Sequence, residues 1–426
     1  MLNQDQTPGA AKRIIIRVKP GEEWTVYQSL LKQGDTVTHY FPRMHAFGVI
    51  VQNNGDLSKL DQDADVTTAS TDAVVKANAP PRAAPVPPPV LPANTLREQV
   101  GVQAYTPDSG LIGRGIGVAL IDSGLAPSAD VDPSRVTAFY DFTQGGILTT
   151  PSDGFGHGTH VAGLIGGTGA LSGGLYAGVA PGVHFVVAKV LDDNGQGNVS
   201  DVIEALQFIT ENKDALDVQV VNMSLGHPPY EDAASDPLDQ AVEQAVQAGL
   251  IVVASAGNYG TNPDTGQIGY AGIAVPGNAP DALTVGAVMT QGTATRDDDR
   301  VAPYSSRGPT WYDGLAKPDV VAPGDLLVSD MSHGSYLDGE LNALLHPGRG
   351  KIPRNLLVGT DYMELSGTSM SAGVTTGVVA LMLQAHQQVE PNAPPLTPNI
   401  VKAILQFTAS SLNDDTGTPY DVLTQG

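Results

Sequence analysis

The sequence predicts an α/β fold: a three-layer α/β/α sandwich with a mainly parallel sheet, preceded by a small ferredoxin-like α+β domain. Three observations carry this reading. Continuously apolar, strand-length runs alternate with helical stretches after residue 95, a βαββαβ order fits residues 13–76, and a proline-rich segment separates the two. With 426 residues, 41% hydrophobic and 16% charged, the chain is long enough for one large core and one small one.

The elements follow in order. RIIIRVKP at 13–20 is strand-like, EEWTVYQSLLKQ at 22–33 has helical spacing, and TVTHYFPRMHAFGVIV at 36–51 contains one or two further strands. A short helix near 56–63 and a strand near 65–76 complete the first domain, residues 1–77. NAPPRAAPVPPPVLPAN at 78–94 is a semi-rigid extended linker, because proline fixes φ and removes amide donors. Thr95 and Glu98 have capping-box spacing, so a helix should open the second domain, 95–426. Strand-like runs follow at 117–122, 184–191, 218–225, 250–257 and 282–288, with helices at about 200–211, 236–248, 369–388 and 397–409. Strands apolar at every position need cover on both faces, and in such sheets active sites lie at the carboxyl ends of the strands.

Composition excludes several functions. The formal charge of −23 argues against a nucleic-acid partner, since phosphate binding needs Lys and Arg, and predicts a self-repelling, soluble monomer. Residues 1–80 are nearly neutral, so the acidity belongs to the remainder. With no cysteine, disulfides, thiolate zinc sites and a cysteine nucleophile are ruled out. No apolar run of about 18 residues predicts a membrane span, and MLNQDQTPGAAKR lacks the apolar core of a signal peptide. Either an export signal is missing from this sequence or the protein is intracellular.

Four segments carry candidate chemistry. Asp122 ends the run GVALID before Ser-Gly, a position that suits either a catalytic carboxylate or a turn residue. GFGHGTHVAGLIGG at 154–167 places His157 and His160 three apart at the start of a glycine-rich helix; a zinc pair there lacks a third ligand and a neighbouring Glu. In ELSGTSMSAGVTTGVVALML at 364–383, Ser369 sits at a helix N-terminus, where free N–H groups favour developing negative charge and where serine is also an ordinary cap. Asn258 follows the strand-like VVASAG, ordinarily a turn position.

Together, IDSG, GHGTHVAG, SAGN and SGTSMS, in the order Asp…His…Ser, resemble the subtilisin-like serine proteases, the subtilases. The resemblance runs from about Leu111 to Phe407 and includes AKVLDDNGQGN, NMSLG, YSSRGP and KPDVVAPG. It implies a subtilisin-like sandwich and a serine endopeptidase in which Ser369 is the nucleophile, His157 the general base, Asp122 its orienting carboxylate and Asn258 an oxyanion donor. His160 falls on a structural position. No metal is needed for catalysis. Gly195, Gln196 and Gly197 on one side and Ser224, Leu225 and Gly226 on the other match the segments that hold a peptide as an added strand, while Val199 and Val202 line a pocket for the fourth residue before the scissile bond. Small walls at 254–257 imply uncharged side chains at the first.

Protein and peptide substrates, secretion, and a zymogen inhibited by its own first domain are further implications. A catalytically silent subtilase fold serving as a scaffold is the competing reading. Ala372, Gly373 and Val374 replace the family's usual Ser-Pro-His, which puts the helix past the nucleophile in doubt. DMSHGSYLDGELNALLHPGRGKIPRN, beginning at Asp330, reads as an added surface loop. The family's strong calcium loop is absent; Asp297, Asp298 and Asp299 are an alternative structural calcium site, although a solvated charge run is the favoured reading. Since many subtilases continue past LTQG, the chain is expected to extend beyond Gly426.

Overall fold

The computed structural model describes residues 12–52, 57, 60, 62–77, 95–102, 110–262, 264–339 and 361–426. The linker at 78–94 lies outside the described residues, as does most of the helix expected near 56–63. In the first domain, strands Lys12–Val18, Thr36–Phe41, Ala46–Val51 and Val66–Thr71 form an antiparallel sheet in which Lys12–Val18 lies between Ala46–Val51 and Val66–Thr71. The helix Glu23–Gln33 ends at Gly34, whose φ of 85° suits a residue without Cβ.

Period-two alternation explains how this domain sits. Ile14, Ile16 and Val18 share a core with Val26 and Leu30 of the helix. Ile15, on the opposite face, joins Phe41, Met44 and Ala46 in the apolar cluster that contains Val199, Val202, Leu206, Leu238 and Val242 of the second domain. A sheet apolar on both faces but carrying its own helix on only one needs a partner, and the helices Val199–Asn212 and Pro237–Gln247 supply it.

The stretch expected as one strand near 65–76 is two strands in different sheets. Val66–Thr71 stays in the first domain, whereas Val74–Ala77 leaves it and lies between Gln196–Asn198 and Leu225–Gly226, antiparallel to both. The change of sheet occurs at Asp72 and Ala73, which are anchored on the second domain.

The large sheet of the second domain has at its centre Ile251–Ser255, Val220–Met223, Gly117–Asp122, His184–Lys189 and Val136–Asp141, all mutually parallel. Leu283–Met289 and Val320–Pro323 extend it in parallel, while short antiparallel strands, Arg300–Val301 and Ile147–Leu148, close the edges. Along the central strand, Ala119 and Ile121 face one core; Val118 and Leu120 face the other. The second core holds the helices His157–Gly166 and Thr368–Val389, so histidine and serine approach from one layer while Asp122 comes from the middle layer. The opening helix spans Thr95–Gln99; the Thr95 side chain is outside the described residues.

Candidate active site

Asp122 is the last residue of the central strand and is wholly buried with His157. Its Oδ1 accepts from His157 Nδ1 at 2.8 Å and from the Ser123 N–H at 2.7 Å. An ionised carboxylate only accepts, so this bond assigns the ring proton to Nδ1 and leaves Nε2 as the basic nitrogen. Nε2 has no hydrogen-bond partner among the described residues.

Ser369 lies in the first turn of the helix Thr368–Val389 and is buried. Its Oγ donates to the Ser224 carbonyl at 3.0 Å, and the Ser224 hydroxyl donates back to the Ser369 carbonyl at 2.9 Å. A hydroxyl has one proton, so while Ser369 Oγ donates to Ser224 it cannot also donate to His157 Nε2. Asn258 Oδ1 accepts from the Thr368 N–H at 3.0 Å and from its hydroxyl at 3.1 Å. Because an N–H can only donate, the amide is fixed with its oxygen toward Thr368 and its Nδ2 on the other side.

The groove is already filled. Gln196, Gly197 and Asn198 pair with Lys76, Val75 and Val74, and Leu225 and Gly226 pair with Ala77 and Lys76. The Gly195 carbonyl accepts from the Ala77 N–H at 3.2 Å. Val75 is fully buried in the cluster containing Val199, Val202 and Leu225, while its neighbours Val74 and Lys76 are exposed. Gly195 has φ 72°, and a Cβ there would meet the Phe155 ring at 2.5 Å, so this edge admits only glycine. Gly257, in the 254–257 wall, has φ 99° and a similar constraint from Ala274.

His160 is separate from this chemistry. Its Nε2 donates to the Leu327 and Met363 carbonyls at 3.1 and 3.2 Å, and burial, with the neighbouring His157, holds its pKa down at about 3. The two histidines therefore face different partners. The doubt over Ala372–Val374 is settled by an unbroken helix from Thr368 to Val389, in which Gly373 lets Val161 of the histidine helix approach.

The stretch expected as an added surface loop is partly neither surface nor loop. Its first residue, Asp330, is the last of the strand Leu327–Asp330, and Tyr336 and Leu337 donate backbone N–H groups to the carbonyls of Gly154 and Phe155 at 2.8 and 3.1 Å. Tyr336 stacks on Phe155 at 5.7 Å between ring centroids. The insertion therefore supports the loop leading into His157; residues 340–360 lie outside the described residues. Asp298 accepts from Thr293 and Thr295, and among the described residues no group of three or more acidic or histidine side chains is arranged around a metal position.

Sequence patterns do not signal four supporting residues. Buried Asp153 accepts from Ser123 Oγ, the Gly156 N–H, the Thr159 N–H and Thr159 Oγ1, all within 2.9 Å, tying the strand of Asp122 to the helix of His157. Lys189 Nζ donates to the Ser123 carbonyl at 2.9 Å. Thr376 donates to Asn222, whose amide donates to Ser224 Oγ at 3.0 Å, so a buried chain fixes the hydroxyl that holds Ser369.

The subtilase family model matches residues 113–422. Serine protease AprX of Bacillus subtilis (strain 168) is 38% identical over 315 residues, covering 73% of this chain and 64% of AprX, so the chain spans less than two thirds of that relative. Subtilisin DY of Bacillus licheniformis is 32% identical over 306 residues, 72% of this chain and 87% of that protein. Among solved structures, fervidolysin from Fervidobacterium pennivorans, a keratinolytic enzyme related to subtilisin, matches 99% of this chain and 60% of its own with a TM-score of 0.68; at 22% identity this is a likeness of fold. A cold adapted subtilisin-like serine proteinase matches 76% of this chain and 96% of its own, with a TM-score of 0.52 and 27% identity. The strand-borne Asp122, the helix-borne His157 and Ser369, and a sequence match over most of the second domain lead to one assignment: this chain belongs to the subtilase family.

Proposed function

We propose that this chain is a serine endopeptidase made as a zymogen, in which residues 1–77 are an inhibitory propeptide. The observation that carries this is a groove, already holding an extended segment, whose edge residue Ser224 bonds directly to Ser369 Oγ. In the proposed reaction Ser369 attacks the substrate carbonyl, and His157 Nε2 takes its proton and then delivers it to the leaving amine. Asp122 stabilises the imidazolium, and Asn258 Nδ2 with the Ser369 N–H holds the oxyanion. The step needs no metal. Recognition through strand edges favours breadth of sequence, with an aliphatic side chain in the Val199–Val202 pocket and an uncharged one beside 254–257. Secretion is part of the same proposal, since a broad protease held inactive by its own domain suits export.

The scaffold reading draws support from one observation, the Ser369 hydroxyl turned toward Ser224. Covalent labelling decides between them. After removal of the first domain, a fluorophosphonate should modify Ser369 and no other serine; an unlabelled, correctly folded second domain leaves only the scaffold.

The first domain should hold on by charge as well as shape. His39 Nε2 lies 3.3 Å from Asp201 and 3.3 Å from Glu204, with Arg13 the cation facing Asp201, Asn198 donating to Asp201, and Thr38 and Phe41 beside the ring. Burial acts to lower the His39 pKa, but the two carboxylates outweigh it and raise the value to about 9. Once separated, His39 returns toward about 6.5. The interaction is therefore complete below that value and lost as pH rises through about 9. The dissociation constant of the cleaved first domain should increase a few-fold between about pH 7 and 10, the scale of a partly exposed ion pair. Asp201→Asn with Glu204→Gln should flatten the profile, and an already flat parent profile rules out His39 as the contact responsible.

A further inference from the structure

We propose that the start of the helix Val199–Asn212 is a substrate subsite for a carboxylate, so that the peptidase favours segments with Asp three residues before the side chain seated in the Val199–Val202 pocket. The inference rests on the serine peptidase reading and adds to it a class of preferred substrate. In the structure the occupant is the first domain's own Asp72. Its Oδ1 accepts from the Ser200 N–H at 2.8 Å and its Oδ2 from Ser200 Oγ at 2.9 Å. Both residues are buried, Ser200 wholly so. Arg13 adds a bond from Nε to Asp72 Oδ2 at 2.9 Å and one to Ser200 Oγ at 3.2 Å, but it belongs to the first domain and leaves with it.

The subsite is continuous with the groove. Val75 and Val74 pair with Gly197 and Asn198, and the Ala73 carbonyl accepts from the Val199 N–H at 2.9 Å, so the strand edge runs without a gap into the first turn of the helix. Val199 and Val202, three apart on one helical face, share a cluster with Val75, while the Ser200 N–H is one of the amides a helix leaves unpaired at its start. An extended segment that seats an aliphatic side chain in that pocket therefore carries the residue three positions earlier to Ser200. Departure of the first domain uncovers two donors that converge on one carboxylate. A carboxylate accepts with both oxygens and matches them better than water or a neutral side chain.

Charge around the site decides the size of the effect. On the other edge of the groove His227 follows Gly226 and is buried; its Nδ1 donates to the Pro228 carbonyl at 2.7 Å, and its Nε2 has no partner among the described residues. Burial holds the His227 pKa down at about 4 and Asp72 acts in the opposite direction, so a negative charge at this place lies within electrostatic reach of an imidazole. Asp201 and Glu204 oppose a carboxylate once His39 no longer faces them. They then border solvent and are screened, whereas the Ser200 donors act in direct contact. Hydrogen bonds to an ionised group are the stronger kind, which sets the net preference at about tenfold.

The test uses the purified full chain after removal of its first domain. Two quenched-fluorescence peptides share Ala-Val-Val-Lys-Ala and one common continuation beyond it; Asp precedes that run in one and Ala in the other. The Asp peptide should be cleaved with kcat/KM about tenfold higher, chiefly through KM, because the contact is remote from the reacting bond and is made equally in ground and transition states. Ser200→Ala keeps the N–H but loses the hydroxyl and should reduce the ratio. Ser200→Asp sets a like charge there while suiting a helix N-terminus, and should abolish it. Equal cleavage of the two peptides by the parent, or a ratio unchanged in Ser200→Asp, overturns the subsite and leaves the peptidase reading intact. Cleavage of neither peptide by a protein that takes no fluorophosphonate label overturns both.

Discussion

Ser369→Ala should lower kcat for a peptide substrate by about 10⁶-fold, the scale that loss of the nucleophile has in subtilisin, a relative of this chain. The substitution removes a single oxygen. It forfeits the bond from Ser369 Oγ to the Ser224 carbonyl, but the reverse bond, from Ser224 Oγ to the Ser369 backbone carbonyl, survives because it uses no side-chain atom of residue 369. The helix Thr368–Val389 and its packing against Val161 should therefore persist, and the melting temperature should change little. Loss of turnover with a retained fold is the expected pair of results. Trimming of the alanine variant in a protease-free preparation, at a rate near that of the parent, would exclude this serine as the nucleophile.

Asn258→Ala should lower kcat by about 10²–10³-fold with little change in KM, because the amide's donor is needed chiefly when the carbonyl oxygen becomes an oxyanion. Subtilisin again sets that scale. A structural effect accompanies the catalytic one: Asn258 Oδ1 is the acceptor for both the Thr368 N–H and its hydroxyl, so alanine also leaves buried donors unpaired, at a cost of about 1–3 kcal/mol. Asn258→Asp separates the two. Aspartate keeps an oxygen for Thr368 but replaces the donor with a negative charge, so stability should recover while kcat stays at least as low as in the alanine variant. A recovery of kcat together with stability would mean that Asn258 acts only by positioning Thr368.

Legibility in the sequence follows burial. The central strands are readable because both their faces are covered, which makes Gly117–Asp122 and Ile251–Ser255 continuous apolar runs. Val136–Asp141, toward the sheet edge, mixes polar and apolar residues, and Ile147–Leu148 is only two residues long, so neither gives such a signal. The four residues of the site are recognisable from small-residue motifs, since close helix–strand approach demands glycine, serine and threonine around them. Asp153, Lys189, Asn222 and Thr376 are not, because a single polar residue acquires its role only from backbone groups distant in sequence that folding brings to it. Likewise nothing local distinguishes Val66–Thr71 from Val74–Ala77; the division at Asp72 exists because Ser200, 128 residues away, offers two donors.

Removal of Val74–Ala77 leaves two short strand edges, Gln196–Asn198 and Leu225–Gly226, facing a gap one strand wide. Such a gap tests a target for foldedness. A segment already paired inside a sheet or coiled in a helix has spent its backbone donors and acceptors and cannot bridge both edges, whereas the same segment, once locally opened, can. Digestion of a globular target by the peptidase proposed here should therefore track the fraction of time its segments spend open, when reclosing is faster than cleavage. Two targets with identical side chains along the cut segment but different local stability would be digested at different rates, and the discrimination would reside in a missing strand.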